Sequence, residues 1–438
     1  MLGRRCTIHW PMKLLGPRPG LKEINVLCWA LFVGFLVAPV SAYFIYLYWR
    51  GATFNDLPAI DFTYFYGIGR IINHYPASEL YNYELQLKVF NGIRSLKGAD
   101  WGPSPYPPLV AYFFSVLAHF TFAQAYFIWM GFSCTLYVAG TMAAARVAFP
   151  TERIKGSILL CFALAFAPFF YYTLASGQLA AVAVFATGMA VFEESRSRHL
   201  SSGLVLSLLA YKPTLMLLVL PMLVVTRRFR ALAGFLAGTA VWILLATFLA
   251  GAQIWLSYLH FLGTFVHATG TSRAARVNPW SFIDIYSVSS MAPGGRTEIG
   301  KAMLAVAVLT IVLLIGSLFA QSAVRRRRAE KITWAVTLTW TMLINVYVPT
   351  YDTVLVVIAF VLTLGALRDV GLEKSTSWFV LLGLLIFGFS AITESIAGEY
   401  KVQPLSILLL ILGSSQLFML RRLFSLHAGS DAIDSPAE

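Results

Sequence analysis

The chain has 438 residues, of which 58% are hydrophobic and only 12% are charged. Soluble domains carry about 25% charged residues, so this composition excludes an ordinary soluble protein. The mean hydropathy of +0.72 indicates that lipid is the solvent for most of the chain. The apolar runs are long and continuous rather than alternating, which excludes a β-barrel and predicts an all-α polytopic membrane protein.

The net charge of +13 comes from short clusters of Lys and Arg that lie between the apolar runs. Such clusters are typical of cytoplasmic loops in membrane proteins, so we expect membrane lipids as partners and no nucleic acid. The four cysteines are not spaced as metal ligands are, and the sequence has no nucleotide-binding or zinc-binding motif. We therefore expect no cofactor and no metal.

The apolar runs predict about 12 transmembrane helices, since a helix of roughly 20 residues crosses the bilayer core. The predicted spans are residues 24–49, 107–122, 124–145, 156–174, 178–192, 200–226, 231–250, 301–324, 332–350, 353–367, 376–396 and 403–420. They form one integral membrane domain, 1–438. This domain has cytoplasmic segments at 1–23 and 421–438 and long outer loops at 50–106 and 251–300.

Basic clusters that directly follow apolar runs predict the orientation of the chain. These clusters are residues 227–230, the unbroken arginine block 325–328, and Arg421-Arg422. Positively charged loops remain in the cytoplasm when a membrane protein is inserted. Both long loops are therefore expected on the outer face of the membrane.

The middle of the chain, residues 107–226, admits two topologies. Strict alternation of the spans places Ser176-Gly177-Gln178 on the inner side. The alternative makes residues 200–226 a hairpin of two short helices that meet near Lys212-Pro213, and residues 107–122 then do not cross fully. Arg196 and Arg198 favour this hairpin arrangement, because it leaves them in the cytoplasm.

The first outer loop is rich in aromatic residues, which is typical of a segment that lies in the membrane interface. Residues 61–72 and 83–96 are predicted to form short amphipathic helices there. Asp61 lies in this loop, and a carboxylate at the membrane face can take a proton from an acceptor hydroxyl. The alternative is that Asp61 caps the first short helix.

Two polar positions interrupt apolar runs in the middle of the chain. Gln178 follows Ser176-Gly177 and can bond a sugar hydroxyl, although a plain turn also explains this segment. Lys212 lies beside Pro213 inside a long apolar run. A charge within the membrane is costly and is functional by default, so Lys212 is a candidate for holding a phosphate. The alternative is a lysine that reaches for water at the tip of a hairpin.

Further polar candidates lie later in the chain. Arg273 and Arg276, in the second outer loop, can clamp a phosphate or pyrophosphate, or can be solvated residues of a basic loop. Tyr351-Asp352 lies between two late spans and is predicted to face outward. Asp352 can contact a ligand, pair with Lys212 or an arginine, or cap the next helix.

Taken together, these segments resemble glycosyltransferase family 87, whose members are polytopic enzymes of the GT-C fold, over roughly residues 56–370. The residues that carry the resemblance are Asp61-Phe62, Leu80-Tyr81, Tyr106-Pro107-Pro108, Gly177-Gln178, Gly203, Lys212-Pro213, Arg227-Arg228-Phe229-Arg230, Gly251, Trp255, Asn278-Pro279-Trp280-Ser281 and Tyr351-Asp352. Their order and spacing are more specific than any one segment.

The resemblance implies transfer of a sugar, typically mannose, from a polyprenyl phosphate to a lipid or glycan acceptor. It also implies that the aspartate of the first outer loop, Asp61, is the catalytic base. The late segment of the family often has a histidine near its Tyr-Asp pair, and His267 is a candidate substitute for it. The other substrate-binding candidates are Tyr64, Tyr81, Gln178, Asn278, Tyr351 and Asp352.

The predicted topology narrows the chemistry independently. Nucleotide sugars are scarce outside the cytoplasm, so an outward-facing site in a bacterial inner membrane needs a lipid-borne donor. Phosphate is a good leaving group, so one carboxylate suffices for an inverting displacement, with Lys212, Arg273 and Arg276 as candidate phosphate ligands. The alternatives are a transporter or flippase for a lipid-linked glycan, and an O-antigen-ligase-like enzyme, which the loop 251–300 partly fits.

Overall fold

The structure is a computed structural model that describes residues 59–94, 101–150, 153–268, 278–324, 326–346 and 348–428. Its α-helices are α1 Ile60–His74, α2 Tyr83–Ile93, α3 Pro108–Leu117, α4 Phe122–Ala148, α5 Arg153–Leu164, α6 Ala180–Ser195, α7 His199–Leu206, α8 Val219–Val225, α9 Phe229–Ala250, α10 Gln253–Ala268, α11 Ile285–Met291, α12 Glu298–Val324, α13 Arg326–Ile344, α14 Leu355–Asp369, α15 Thr376–Ser390, α16 Thr393–Tyr400 and α17 Pro404–Ala428. A π-helix spans Pro168–Ala175, and short 3-10 helices span Ala77–Tyr81, Ser207–Tyr211, Pro213–Met216, Pro279–Ser281, Thr350–Val354 and Glu373–Ser375.

The described residues contain five helices that are long and apolar enough to cross a membrane, or up to seven if two bent helix pairs each count as one span. The five are Phe122–Ala148, Phe229–Ala250, Glu298–Val324, Thr350–Asp369 and Pro404–Phe424. The all-α membrane fold is therefore confirmed. The count of about 12 spans is not confirmed. The first predicted span, 24–49, lies outside the described residues.

Helix breaks explain why some predicted spans are not single crossing helices. The run 107–122 contains only the ten residues of α3, and a helix of that length spans about 15 Å, half of the bilayer core. A capping box at Thr121 then starts α4 as a separate helix. The run 376–396 bends by 70° between α15 and α16. At the end of the chain α17 continues to Ala428, past the predicted start of the tail at residue 421.

The run 200–226 forms the predicted hairpin, with arms His199–Tyr211 and Pro213–Val225. Its two ends lie together, because the buried Glu194 carboxylate pairs with His199 at 3.0 Å and with Arg228 at 3.2 Å. We call this end of the bundle, with its Glu194–Arg228 ion pair, the basic end. The hairpin brings the basic residues after α6 to the same end of the bundle as those after α8, which favours the hairpin topology over strict alternation of the spans.

Glycines allow the helices around the hairpin to pack backbone against backbone. A Cβ atom at Gly188 of α6 would lie 2.1 Å from the Gly140 carbonyl oxygen of α4. A Cβ atom at Gly203 of α7 would lie 1.8 Å from the Ala231 carbonyl oxygen of α9. Small residues at such crossings are how membrane helices gain van der Waals contact where no hydrophobic force drives them together.

The segment 59–94, part of the predicted first outer loop, contains the two short helices predicted there, as α1 and α2. The apolar side of α1 packs on α3, where the rings of Phe65 and Phe114 stack with centroids 5.0 Å apart. Phe62 packs against Tyr126 of α4 at 5.5 Å, and the Tyr66 hydroxyl donates to the Phe120 carbonyl oxygen at 2.8 Å. These aromatic contacts attach the start of α1 firmly to the membrane bundle.

Replacing Arg228 with alanine should destabilise the protein by about 3 kcal/mol, because it leaves the buried Glu194 carboxylate without its guanidinium partner. Arg230 is exposed, so Arg230→Ala should change stability by less than about 0.5 kcal/mol. Thermal unfolding of both variants in the same detergent measures the difference. Equal melting temperatures for the two variants would show that the ion pair does not fasten the hairpin.

Candidate functional site

Four segments that lie at helix starts or helix breaks meet at the end of the bundle opposite the basic end. We call this place the site end. Asp61 lies in the first turn of α1. Ser176 and Gln178 lie at the 116° break between the π-helix and α6. Lys212 lies between two 3-10 helices, and Asp352 lies in the 3-10 turn before α14. Breaks of this kind are tolerated at membrane depth where the backbone lines a cavity or is buried in protein.

Asp61 is held by the segment Ser176-Gly177. The Ser176 hydroxyl donates to Asp61 Oδ2 at 2.5 Å, and the Asp61 N–H donates to Ser176 Oγ at 3.1 Å. The Phe62 N–H donates to the Ser176 carbonyl oxygen at 2.8 Å. Gly177 has φ +88°, and a Cβ atom there would lie 2.6 Å from Phe62 Cβ, so only glycine fits.

Two of the simpler interpretations of these residues are wrong. The N-cap of α1 is Ala59, and Asp61 does not cap that helix. The Asp61 carboxylate bonds across the molecule to Ser176 instead. The segment 176–178 is likewise more than a turn, because it supplies the hydrogen bonds that orient this carboxylate.

Gln178 bonds the same carboxylate through its side chain. Its Oε1 atom accepts from the Tyr106 hydroxyl and from the Leu179 N–H, each at 3.4 Å. The amide NH₂ is thereby left to donate to Asp61, since the amide has one acceptor end and one donor end. Gln178 therefore orients the carboxylate, a contact that was not predicted from the sequence.

Burial raises the pKa of Asp61 to about 6, while hydrogen bonds from Ser176 and Gln178 and the positive charge of Lys212 lower it by less. A carboxyl group with this pKa is mostly ionised at neutral pH. It is also a stronger base than an ordinary aspartate, whose pKa is 3.8. Both properties suit a general base, which works best with a pKa near the operating pH.

Lys212 forms an ion pair with Asp352, which was one of the partners predicted for Asp352 from the sequence. The Lys212 ammonium also lies 4.8 Å from the ring centroid of Tyr351. The Asp352 side chain is 2% exposed and that of Lys212 is 19% exposed, so the cation retains access to the site. The N-cap alternative for Asp352 is wrong, because Val354 is the N-cap of α14.

Two groups beside this ion pair are buried without a hydrogen-bond partner among the described residues. They are the Asp352 Oδ1 atom and the Tyr211 hydroxyl. A buried polar atom that lacks a partner costs free energy, and active sites are where such atoms are retained. Both atoms are available to a ligand that enters beside Lys212.

Tyr64 extends the site on the side of the first outer loop. Its hydroxyl oxygen accepts the Gly102 N–H at 3.1 Å, and its ring packs edge-on against Trp101 at 5.1 Å. Burial raises the pKa of Tyr64 to about 12, and the charge of Asp61 raises it further. The hydroxyl therefore keeps its proton and can donate it to a ligand.

Tyr81 lies behind the site rather than in it. Its hydroxyl donates to the Tyr106 carbonyl oxygen at 2.9 Å, and its ring lies 5.3 Å from the rings of Tyr258 and Phe261. The Tyr106 hydroxyl in turn bonds Gln178 and Tyr351. Tyr81 thus supports the residue that joins the two halves of the site.

The second outer loop is attached beside Tyr351-Asp352. Phe282 forms a β-bridge with Pro349, and the Thr350 hydroxyl donates to the Ser281 carbonyl oxygen at 3.3 Å. Asn278 begins this segment and is exposed. The predicted phosphate ligands Arg273 and Arg276, and the His267 side chain, lie outside the described residues.

One pair of residues at the site end was not singled out from the sequence. The Tyr172 hydroxyl donates to Glu394 Oε1 at 2.9 Å, across 222 residues of chain. Glu394 lies inside the apolar run 376–396, and a charge in such a run is the signal that identified Lys212. In the part of the chain that the structure describes, no group of three His, Cys, Asp or Glu side chains is placed to hold a metal ion.

Replacing Asp61 with asparagine should raise the melting temperature at neutral pH and leave it nearly unchanged below pH 3.8. The folded-state pKa of about 6 lies above the ordinary 3.8, so folding favours the protonated form, and stability is lost as the pH rises through the folded pKa. Asparagine carries no charge to bury, and it keeps an acceptor for Ser176. Thermal unfolding at both pH values tests this expectation.

The exposed Glu84 of α2 provides the control for this experiment. Glu84→Gln should give the same melting temperature as the parent protein at both pH values. A gain for Asp61→Asn that is equal at both pH values would mean that the charge of Asp61 is not the cause.

The family model named Glycosyltransferase family 87 matches residues 105–349. No curated protein and no solved structure matches the chain. The match includes Gln178, Lys212 and Asn278, and it covers more than half of the 438 residues. Together with the apolar helices, it makes the protein a membrane glycosyltransferase rather than a transporter. The chain belongs to glycosyltransferase family 87.

Proposed function

We propose that this enzyme transfers a hexose, with mannose as the first candidate, from a polyprenyl-phosphate donor to a lipid or glycan acceptor by inverting displacement. One observation carries the proposal. The Asp61 carboxylate is held by Ser176 and Gln178 within electrostatic range of the cation Lys212. A base and a phosphate ligand in one site are what a direct displacement at a phosphate-activated sugar requires.

The positions of the charges support a site on the outer face. Helix α14 begins next to Asp352 and ends at Asp369, which pairs with Lys331 at 3.1 Å. The Glu194–Arg228 pair lies at that same far end, opposite Asp61, and is flanked in the sequence by the exposed arginines Arg196, Arg198, Arg227 and Arg230. Positively charged ends of membrane proteins face the cytoplasm, so we place Asp61 on the periplasmic or exterior side of a bacterial inner membrane. A donor carried by a membrane lipid is available there, and nucleotide sugars are not.

In the proposed reaction, the Asp61 carboxylate takes the proton of the acceptor hydroxyl. The acceptor oxygen forms a bond to the anomeric carbon while the bond from that carbon to the phosphate oxygen breaks. The phosphate leaves with the electron pair, and the anomeric centre is inverted. No second carboxylate is needed as an acid, because a phosphate is a far better leaving group than the alkoxide that glycosidases must protonate.

Lys212 is proposed to steady the leaving phosphate. The monoester product carries more negative charge than the diester donor, so a cation beside it is worth most in the transition state. Asp352 holds the ammonium in position within an apolar region. Arg273 and Arg276 of the second outer loop are proposed to complete the phosphate clamp.

The remaining candidates are assigned by the atoms they have available. We propose that Tyr64 donates its hydroxyl proton to a substrate oxygen, and that Tyr351 and Asn278 contact the substrate beside Lys212. His267 is proposed as a further substrate contact. The Tyr81 hydroxyl already bonds the Tyr106 carbonyl oxygen, so we assign Tyr81 to supporting the site.

Asp61→Asn should lower sugar transfer at least 100-fold, since a general base contributes about 10² to 10⁴ to the rate. The assay follows radiolabelled mannose from a synthetic polyprenyl-phosphate mannose into membrane acceptors, with glucose and N-acetylglucosamine donors in parallel. Glu84→Gln is the matched control, because it neutralises an exposed carboxylate of the same outer loop. Full transfer by Asp61→Asn, or transfer from nucleotide sugars alone, would contradict the proposal.

Lys212→Met should unfold more easily by about 3 kcal/mol, because it leaves Asp352 as an unpaired buried charge. The double variant Lys212→Met with Asp352→Asn should recover that stability, since both charges are then absent, yet it should remain inactive in transfer. Melting temperatures and kcat/KM for the parent protein and both variants separate the two effects. A double variant that regained transfer would exclude Lys212 as the phosphate ligand.

A further inference from the structure

A further carboxylate, in addition to Asp61 and Asp352, borders the site. Glu394 lies in the first turn of α16, just after the 70° bend that ends α15. Tyr172, whose hydroxyl donates to it at 2.9 Å, lies on the π-helix four residues before Ser176. The negative charge of Asp61 also acts on Tyr172. The tyrosine therefore lies between the base and a second acidic group.

Other contacts already hold α16 in place. The Thr393 hydroxyl bonds the Gln403 side chain and accepts the Leu405 N–H at 3.2 Å. The Gln403 amide donates to the carbonyl oxygens of Trp280 and Phe282 at 2.9 and 3.1 Å. These bonds anchor α16 to the second outer loop beside the site. The charge of Glu394 is not required for that anchoring, since none of these bonds involves it.

The surroundings of Glu394 leave part of its carboxylate free to bind a ligand. The side chain is half-buried, and Tyr172 is its one hydrogen-bond partner among the described residues. A charge in an apolar run is costly and is kept where it serves a function. An ionised carboxylate with a free oxygen accepts charge-assisted hydrogen bonds from neighbouring hydroxyl groups, which are strong in such a site.

We propose that Glu394 is a binding subsite for the hydroxyl groups of a sugar acceptor, next to the hydroxyl that Asp61 deprotonates. The proposal rests on the transfer function proposed above and names the acceptor class. The acceptor carries several hydroxyls, as a glycan or sugar-headed lipid does, and is not a simple lipid alcohol. An anionic donor is attracted to Lys212 and repelled by Glu394, which favours the acceptor over the donor sugar as the group bound here.

Two variants separate binding from a merely structural contact. Glu394→Gln keeps an oxygen for the Tyr172 hydroxyl and removes the charge, whereas Tyr172→Phe removes the hydrogen bond and keeps the charge. Glu394→Gln should raise KM for octyl mannoside, used as acceptor probe, by about tenfold or more, with donor KM unchanged. Tyr172→Phe should raise it less. Glu399→Gln, on the exposed side of the same helix, should match the parent protein.

The measurements use lipid vesicles, because sugar-headed detergents would compete with the probe. Equilibrium binding of octyl mannoside is measured beside transfer. If the parent protein binds the probe and Glu394→Gln does not, yet no donor supports transfer, the subsite holds and the proposed reaction fails. If the parent transfers and Glu394→Gln has unchanged acceptor KM, or changes donor KM alone, the subsite proposal is overturned.

Discussion

The contact between Ser176 and the first turn of α1 joins parts of the chain that are 115 residues apart. Three hydrogen bonds form there, two with main-chain N–H groups of α1 and one with the Asp61 carboxylate. They hold the acidic side chain against the bundle, and the resulting burial raises its pKa to about 6. The contact with Ser176 therefore determines both the position of Asp61 and its raised pKa. A mobile aspartate in a solvated loop would have neither property.

Two ion pairs at opposite ends of the bundle give the hairpin a fixed depth. The Glu194–Arg228 pair fastens the open end of the hairpin, and the Lys212–Asp352 pair holds its tip. Their exposure differs as their proposed roles do. Both side chains of the first pair are at most 2% exposed, whereas Lys212 is 19% exposed. An almost fully buried ion pair suits a structural role, whereas a charged group that binds a phosphate has to remain accessible to that phosphate.

The sequence predicted features that depend on the free-energy cost of a residue in its local apolar run. It did not predict features that depend on contacts between distant parts of the chain. A lysine inside an apolar run stands out because lipid penalises charge, and this identified Lys212 and the hairpin. The same signal was present at Glu394 but was not used. The roles of Ser176 and Gln178 were not predictable, because their partner lies more than a hundred residues away. The bounds of several predicted spans differ from those of the helices for the same reason, since tertiary contacts decide where a helix breaks.

The broken segments are stable because side chains of unbroken helices satisfy the carbonyl groups that the breaks free. Tyr126 and Trp129 of α4 donate to the carbonyl oxygens of Ala175 and Gly177 at 2.5 and 2.9 Å. Asn345, just after α13, donates to the Thr214 carbonyl oxygen at 2.7 Å. Without such donors, each free carbonyl at membrane depth would cost several kcal/mol. Long regular helices therefore make it possible for short irregular ones to present Asp61, Gln178 and Lys212 to one site.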